Sequence, residues 1–132
     1  EQVLEDFIAL ERHAAPGAVI LLHDTLPLTE STSTPVRSTG FYSGDTWKIV
    51  PCLRALRPDL KLLTLPAAPT GLTVVTGLDP RSTLLSERRP LIRQVYRQLP
   101  ATRAVASPER LLQLCYNDWS WMADWLNQAG VP

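Results

Sequence analysis

His23, Asp24 and Thr25 follow directly on the apolar run Ala18-Val19-Ile20-Leu21-Leu22, so a buried strand delivers an imidazole, a carboxylate and a hydroxyl to its own end. An imidazole that titrates near neutral pH can take a proton from the hydroxyl of a bound small molecule. The carboxylate can instead cap the backbone of the loop that follows, with the histidine held by ordinary hydrogen bonds and no chemistry to perform. At the level of the residues both readings stand. Successive strand positions point to opposite faces, which argues against a dyad and for one of the two side chains facing a pocket.

Two aromatic positions are further candidates for contact with a ligand. Tyr42 lies in Phe41-Tyr42-Ser43-Gly44-Asp45, where rings beside a helix start can pack over a small molecule. Trp47 opens the next helix, and its spacing to Val50 and Arg54 favours the core over a ligand platform. Arg88, Arg89, Arg93, Arg97 and Arg103 form a basic run whose default is a solvated face rather than a phosphate site. Trp119 and Trp121 fall about 200° apart around a helix. At least one aromatic of the group Trp119, Trp121 and Trp125 must therefore face away from the main core, which favours a subunit interface or a contact with another domain.

The elements that position these residues are legible from periodicity. Val3, Leu4, Phe7 and Ile8 mark one face of a helix over 2–13, ended by Pro16-Gly17. The run 18–22 lacks alternation, which suits a strand covered on both faces. From Leu26 to Gly44 the chain is rich in Ser, Thr and Pro and has no period, far beyond the ~2–6 residues usual between a strand and a helix. Asp45 is placed to cap a helix through Trp47, Ile49, Val50, Leu53 and Leu56, with Pro51 expected to kink it. Residues 61–65 and 72–76 read as strands joined by Pro-Ala-Ala-Pro-Thr-Gly, too short for a parallel return and therefore an antiparallel hairpin. Helices follow over 86–99 and, after Ser107-Pro108-Glu109, from there to about Gln128.

The chain has 132 residues, 13 basic and 13 acidic, with a hydrophobic fraction of 45%. That fits one packed domain, and the balanced charge gives no reason to expect nucleic acid or an anionic membrane as partner. Cys52 and Cys115 lack metal-type spacing and lie in apolar patterns, as reduced thiols of a cytoplasmic protein would. No apolar run reaches the roughly 20 residues of a membrane span. The chain opens inside a helical pattern without an initiator Met, like a piece of something longer.

Taken together, EQVLEDF, the strand ending in HDTLP, the polar loop, SGDTWKIVPCLRALRPDL, the next strand, PTGL and LDP resemble the C-terminal half of a class I S-adenosylmethionine-dependent methyltransferase of the bacterial small-molecule type. The similarity covers about residues 1–85, leaving 86–132 as a helical tail packed on it or on a partner. It implies an α/β fold: part of a Rossmann-like sheet, with one parallel-type strand and an antiparallel hairpin, flanking helices, and the last strand inserted antiparallel between its two predecessors. It further implies methyl transfer to a hydroxyl of a small molecule, this chain supplying the acceptor side. His23 and Asp24 would be catalytic, and Thr25, Tyr42 and Trp47 would contact substrate. S-adenosylmethionine would be held mainly by an N-terminal half, because the glycine-rich turn that binds it is absent here. In metal-dependent members an Asp-Asn pair binds a divalent cation such as Mg at this position; Asp24 matches the first ligand and Thr25 replaces the second. The competing reading is a degenerate, non-catalytic module serving assembly.

One physical expectation follows. If strand 18–22 lacks its outer neighbour, its bare edge is an aggregation or pairing site, expected to be covered by a partner chain, a second copy, or the tail from residue 86 onward.

Overall fold

The apolar run after Pro16-Gly17 forms β1 (Ile20–His23), and the two β-rich stretches beyond residue 60 form β2 (Lys61–Leu65) and β3 (Leu72–Thr76) in the computed structural model, which describes residues 1–131. β2 and β3 make the antiparallel hairpin expected from their short connection, with Leu63 opposite Val74. β1 joins the far side of β3, also antiparallel, pairing Ile20 with Val75 and His23 with Leu72. The order is therefore β1-β3-β2. β3 is the last strand in the chain yet occupies the middle, and its two neighbours run in the same direction as each other. The protein is mixed α/β, a three-stranded antiparallel sheet with helices around it.

α1 (Gln2–Arg12) lays Leu4, Phe7 and Ile8 against Ile20 and Leu22 of β1. α2 (Ile49–Leu56), entered through a short 3-10 turn over Thr46–Lys48, adds Ile49, Val50 and Leu53 to the same core, where Trp47 is fully buried. Each such aliphatic side chain contributes about 1.5–3 kcal/mol on burial. Two local expectations are corrected here. Pro51 does not kink α2: it is the third residue of that helix, in the first turn where a missing N–H costs nothing. Asp45 makes no capping hydrogen bond and instead lies 3.4 Å from the Lys48 ammonium.

β1 is also not covered on both faces. Ile20 and Leu22 are buried, but Leu21 is 60% exposed. The other face of the sheet is packed over β2 and β3, where Leu63, Leu65 and Val74 meet a helix of the tail, and that cover stops short of β1.

The tail is more broken than its periodicity suggests. It comprises α3 (Leu84–Glu87), α4 (Arg89–Arg97), α5 (Thr102–Ala106), α6 (Pro108–Leu112) and α7 (Trp119–Gln128). Leu85, Ile92, Ala101, Ala104 and Leu112 enter the core formed by α1, α2 and the sheet. The continuous helix expected from 107 to 128 stops at Gln113, which takes the left-handed conformation, φ 56°. The reason is tertiary: Thr64 donates its N–H to the Gln113 carbonyl (3.0 Å) and Cys115 donates to the Thr64 carbonyl (2.8 Å), so 113–115 bridges the outer edge of β2. The tail thus covers an edge of the sheet, but that of β2 rather than β1. α7 then starts at an Asp118 cap, whose carboxylate accepts from the Ser120 N–H at 2.9 Å, and packs Trp121, Met122, Trp125 and Leu126 on the second face. As the angular argument requires, Trp119 points away and is 67% exposed.

A buried ion pair ties these layers together. Arg57, just after α2, donates to Glu11 of α1 at 2.7 Å and forks onto both oxygens of Asp59 ahead of β2. The other Glu11 oxygen accepts from the Asp79 N–H at 3.2 Å, beyond β3. Burial works against the charge on Arg57, yet the hydrogen bonds to Asp59 and Glu11 outweigh it and hold the guanidinium firmly protonated. The Arg57 hydrogen bond likewise keeps the Asp59 carboxyl below its usual range.

Candidate functional site

The carboxyl end of β1 brings two of the sequence candidates together. His23 is the last strand residue, and Asp24 leaves the strand in the left-handed region at φ 61°. A non-glycine residue there is uncommon and costs of order 1 kcal/mol or more. The turn has a chemical consequence. The alternation that separates neighbours in a strand ends at His23, and Asp24 Oδ1 comes to 3.2 Å from His23 Nδ1. The two side chains come within ion-pair distance because Asp24 does not continue the pleat, but no hydrogen bond forms between them.

Asp24 is held from a second side. The Thr70 hydroxyl, in the β2–β3 connection, donates to the same Oδ1. Thr70 is placed by the antiparallel pairing: His23 lies opposite Leu72, and the Thr70 carbonyl accepts from the Leu26 N–H at 2.7 Å. Gly71 makes the close approach feasible, since at φ 77° any Cβ would collide with Leu26. Nδ1 is the ring nitrogen nearer the carboxylate, which leaves Nε2 as the one open to a ligand. His23 is half exposed, so that nitrogen can meet a ligand. Nothing in the sequence singled out Thr70, whose position emerges only when β3 is known to pair with β1.

The other candidates lie elsewhere. Thr25 is fully buried, accepting from Thr73 at 2.8 Å in a chain of hydroxyls that continues to Thr64 at 2.7 Å. Tyr42 donates its hydroxyl to the Thr34 carbonyl at 2.7 Å, and the Trp47 indole N–H reaches the Ser33 carbonyl at 3.4 Å. With Ser33 and Ser43 in contact at 3.2 Å, these bonds tie the 26–45 loop to itself and to the start of α2. Tyr42 and Trp47 therefore anchor the loop, and the fully buried Trp47 offers no surface to a ligand.

An apolar groove of about 260 Å³ runs between the sheet and α7, lined among others by Leu21, Leu72, Val74 and Trp125. Leu21 shares a strand face with His23, and Leu72 lies opposite it, so the imidazole stands at the end of an apolar surface. The residues present do not fit a divalent cation: among the described residues no group of three or more His, Cys, Asp and Glu side chains is gathered to hold one. Asp24 and His23 stand without Thr25, which is turned inward, and a hard cation asks for about six oxygen ligands. Nor do they fit S-adenosylmethionine, since Gly17, Gly40, Gly44, Gly71, Gly77 and Gly130 never fall in G-x-G spacing.

No family model, curated protein or solved structure matches the chain.

Proposed function

We propose that this chain is the acceptor-side part of a Rossmann-like, S-adenosylmethionine-dependent methyltransferase acting on a hydroxyl of a small molecule, with the cofactor held by residues that the chain does not itself provide. The observation that carries the reading is the strand order β1-β3-β2, the last strand reversed between two that run together. Such a sheet presents His23 and Asp24 at the carboxyl end of β1, the edge at which open α/β sheets receive ligands. S-adenosylmethionine would supply an electrophilic methyl group. In this chain His23 Nε2 takes the proton of the acceptor hydroxyl. Asp24, fixed by Thr70, orients the ring and stabilises the imidazolium that forms, while Leu21 and Leu72 border it with apolar surface on one side. No step runs through a metal. Both cysteines are free, in keeping with a cytoplasmic setting, and no helix among the described residues is long and apolar enough to cross a membrane.

The test is transfer of labelled methyl groups from S-adenosylmethionine to a panel of hydroxylated small molecules by the complete gene product. His23→Gln should lower kcat by 10²–10⁴, the usual contribution of a general base, and flatten the pH profile. Absence of transfer, or a His23→Gln enzyme as active as the native one, defeats the reading. The second reading, a non-catalytic assembly module, is favoured by one observation: Tyr116 (87%), just ahead of α7, and Trp119 (67%), its first residue, are both exposed. It predicts that the complete gene product lacks transfer activity yet retains a partner through these rings.

A further inference from the structure

A cleft of about 490 Å³ opens between the start of α1, the end of the long loop, α2 and α4, a size ordinary for small-molecule sites. Its floor is apolar and closed: Leu4, Ile49, Cys52 and Ile92 are all buried. Its rim is charged, three cations against two carboxylates, and the pairing among them is incomplete. Arg93 contacts Glu1 at 2.9 Å and Glu5 at 3.6 Å. Lys48 lies 3.4 Å from Asp45 and donates to the Arg97 carbonyl at 3.1 Å. Arg97 itself has no carboxylate within ion-pair distance among the described residues, although its position on α4 puts it on the rim. A flat, weakly hydrated guanidinium at the mouth of an apolar cleft is suited to a planar oxyanion whose carbon body lies below it.

We propose that this cleft is a binding site for a small organic anion, a compact apolar body carrying one carboxylate or phosphate that pairs with Arg97. Neither His23 nor Asp24 lines the cleft, so the inference stands independently of methyl transfer. A wholly polar anion would leave the half-buried Val3 and Tyr96 of the cleft wall against water. A neutral apolar molecule would leave Arg97 without a partner. The amphipathic anion satisfies both parts at once.

Calorimetric titration with 2-naphthoate, 2-naphthyl phosphate and the neutral 2-naphthylmethanol tests this. The anions should saturate one site and the alcohol should bind up to roughly fivefold more weakly, the upper range for a single exposed ion pair. The stronger of the two anions identifies the head group. Arg97→Glu should bring both anions down to the level of the alcohol with an unchanged thermal midpoint, because Arg97 is exposed and its side chain supports nothing else. Cys52→Phe, which fills the floor, should weaken all three probes. The proposal is overturned if the alcohol binds as well as the anions, if none of the probes binds, if Arg97→Glu leaves anion binding intact, or if methyl shifts in NMR map to Val74 and Leu126 instead of Leu4 and Ile92.

Discussion

Asp24 and Gly71 occupy the two left-handed positions that bring the end of β1 against the β2–β3 turn, and they differ in how much substitution they tolerate. At Gly71 the constraint is double, a positive φ of 77° and contact with Leu26. Gly71→Ala should therefore destabilise the fold by about 2–3 kcal/mol, the sum of a strained backbone and an overpacked neighbour, as read by urea denaturation. A smaller loss would mean that the turn relaxes freely and does not hold Thr70 against Asp24. The buried ion pair gives a sharper case. Arg57→Met leaves the Glu11 carboxylate buried without its cation and should cost about 3–5 kcal/mol, whereas Arg57→Met with Glu11→Leu should recover most of that. If the double variant is as unstable as the single, the pair is not acting through charge. Neither site was visible in the sequence. Glu11 and Arg57 are 46 positions apart, and no periodicity links residues that meet only through tertiary packing. His23 and Asp24 were visible because a buried strand that ends in polar groups is a local pattern, but their mutual geometry was not, because it depends on one dihedral angle.

At the scale of elements, the three strands, the first helix and the hairpin could all be read from apolar spacing and loop length, both local quantities. The tail could not. Leu111, Leu112, Cys115, Trp119, Met122 and Trp125 keep helical spacing, yet β2 offers unpaired backbone groups at Thr64, and two hydrogen bonds to 113–115 outweigh a continued helix. Propensity is a weak prior against such a contact. α7 is left as a separate cover for Leu63, Leu65 and Val74. Trp125→Ala should remove part of that cover, cost about 2 kcal/mol for a half-buried indole, and increase binding of an apolar dye. A change confined to α7 itself, with the sheet face still protected from dye, would contradict the packing described.

For the whole molecule, burial sets the response to alkali. The Cys52 thiol is pushed up to about 12 from an ordinary 9 by desolvation, and the Tyr96 phenol is raised in the same direction by burial. The unfolded chain therefore loses these protons first. Their contribution to stability is complete below pH 9 and is lost as pH rises towards 12. Cys52→Ala should flatten the fall in stability over that interval, measured by denaturant titration at stepped pH, and a curve parallel to the native one would show that the thiol is not desolvated. In the native state at pH 8 an alkylating agent should modify Cys115 well ahead of Cys52.

The two outer strands of the sheet are not equivalent. Residues 113–115 occupy the margin of β2, while β1 has β3 on one side and, among the described residues, no strand on the other. Polymerising by backbone pairing takes two vacant margins per molecule, one to receive and one to offer. Among the described residues only the β1 margin is vacant, and on the methyltransferase reading it is the margin that the cofactor-holding part would occupy. The short detour after Leu112 that interrupts the tail therefore seals one margin of the sheet and leaves any further pairing to the other.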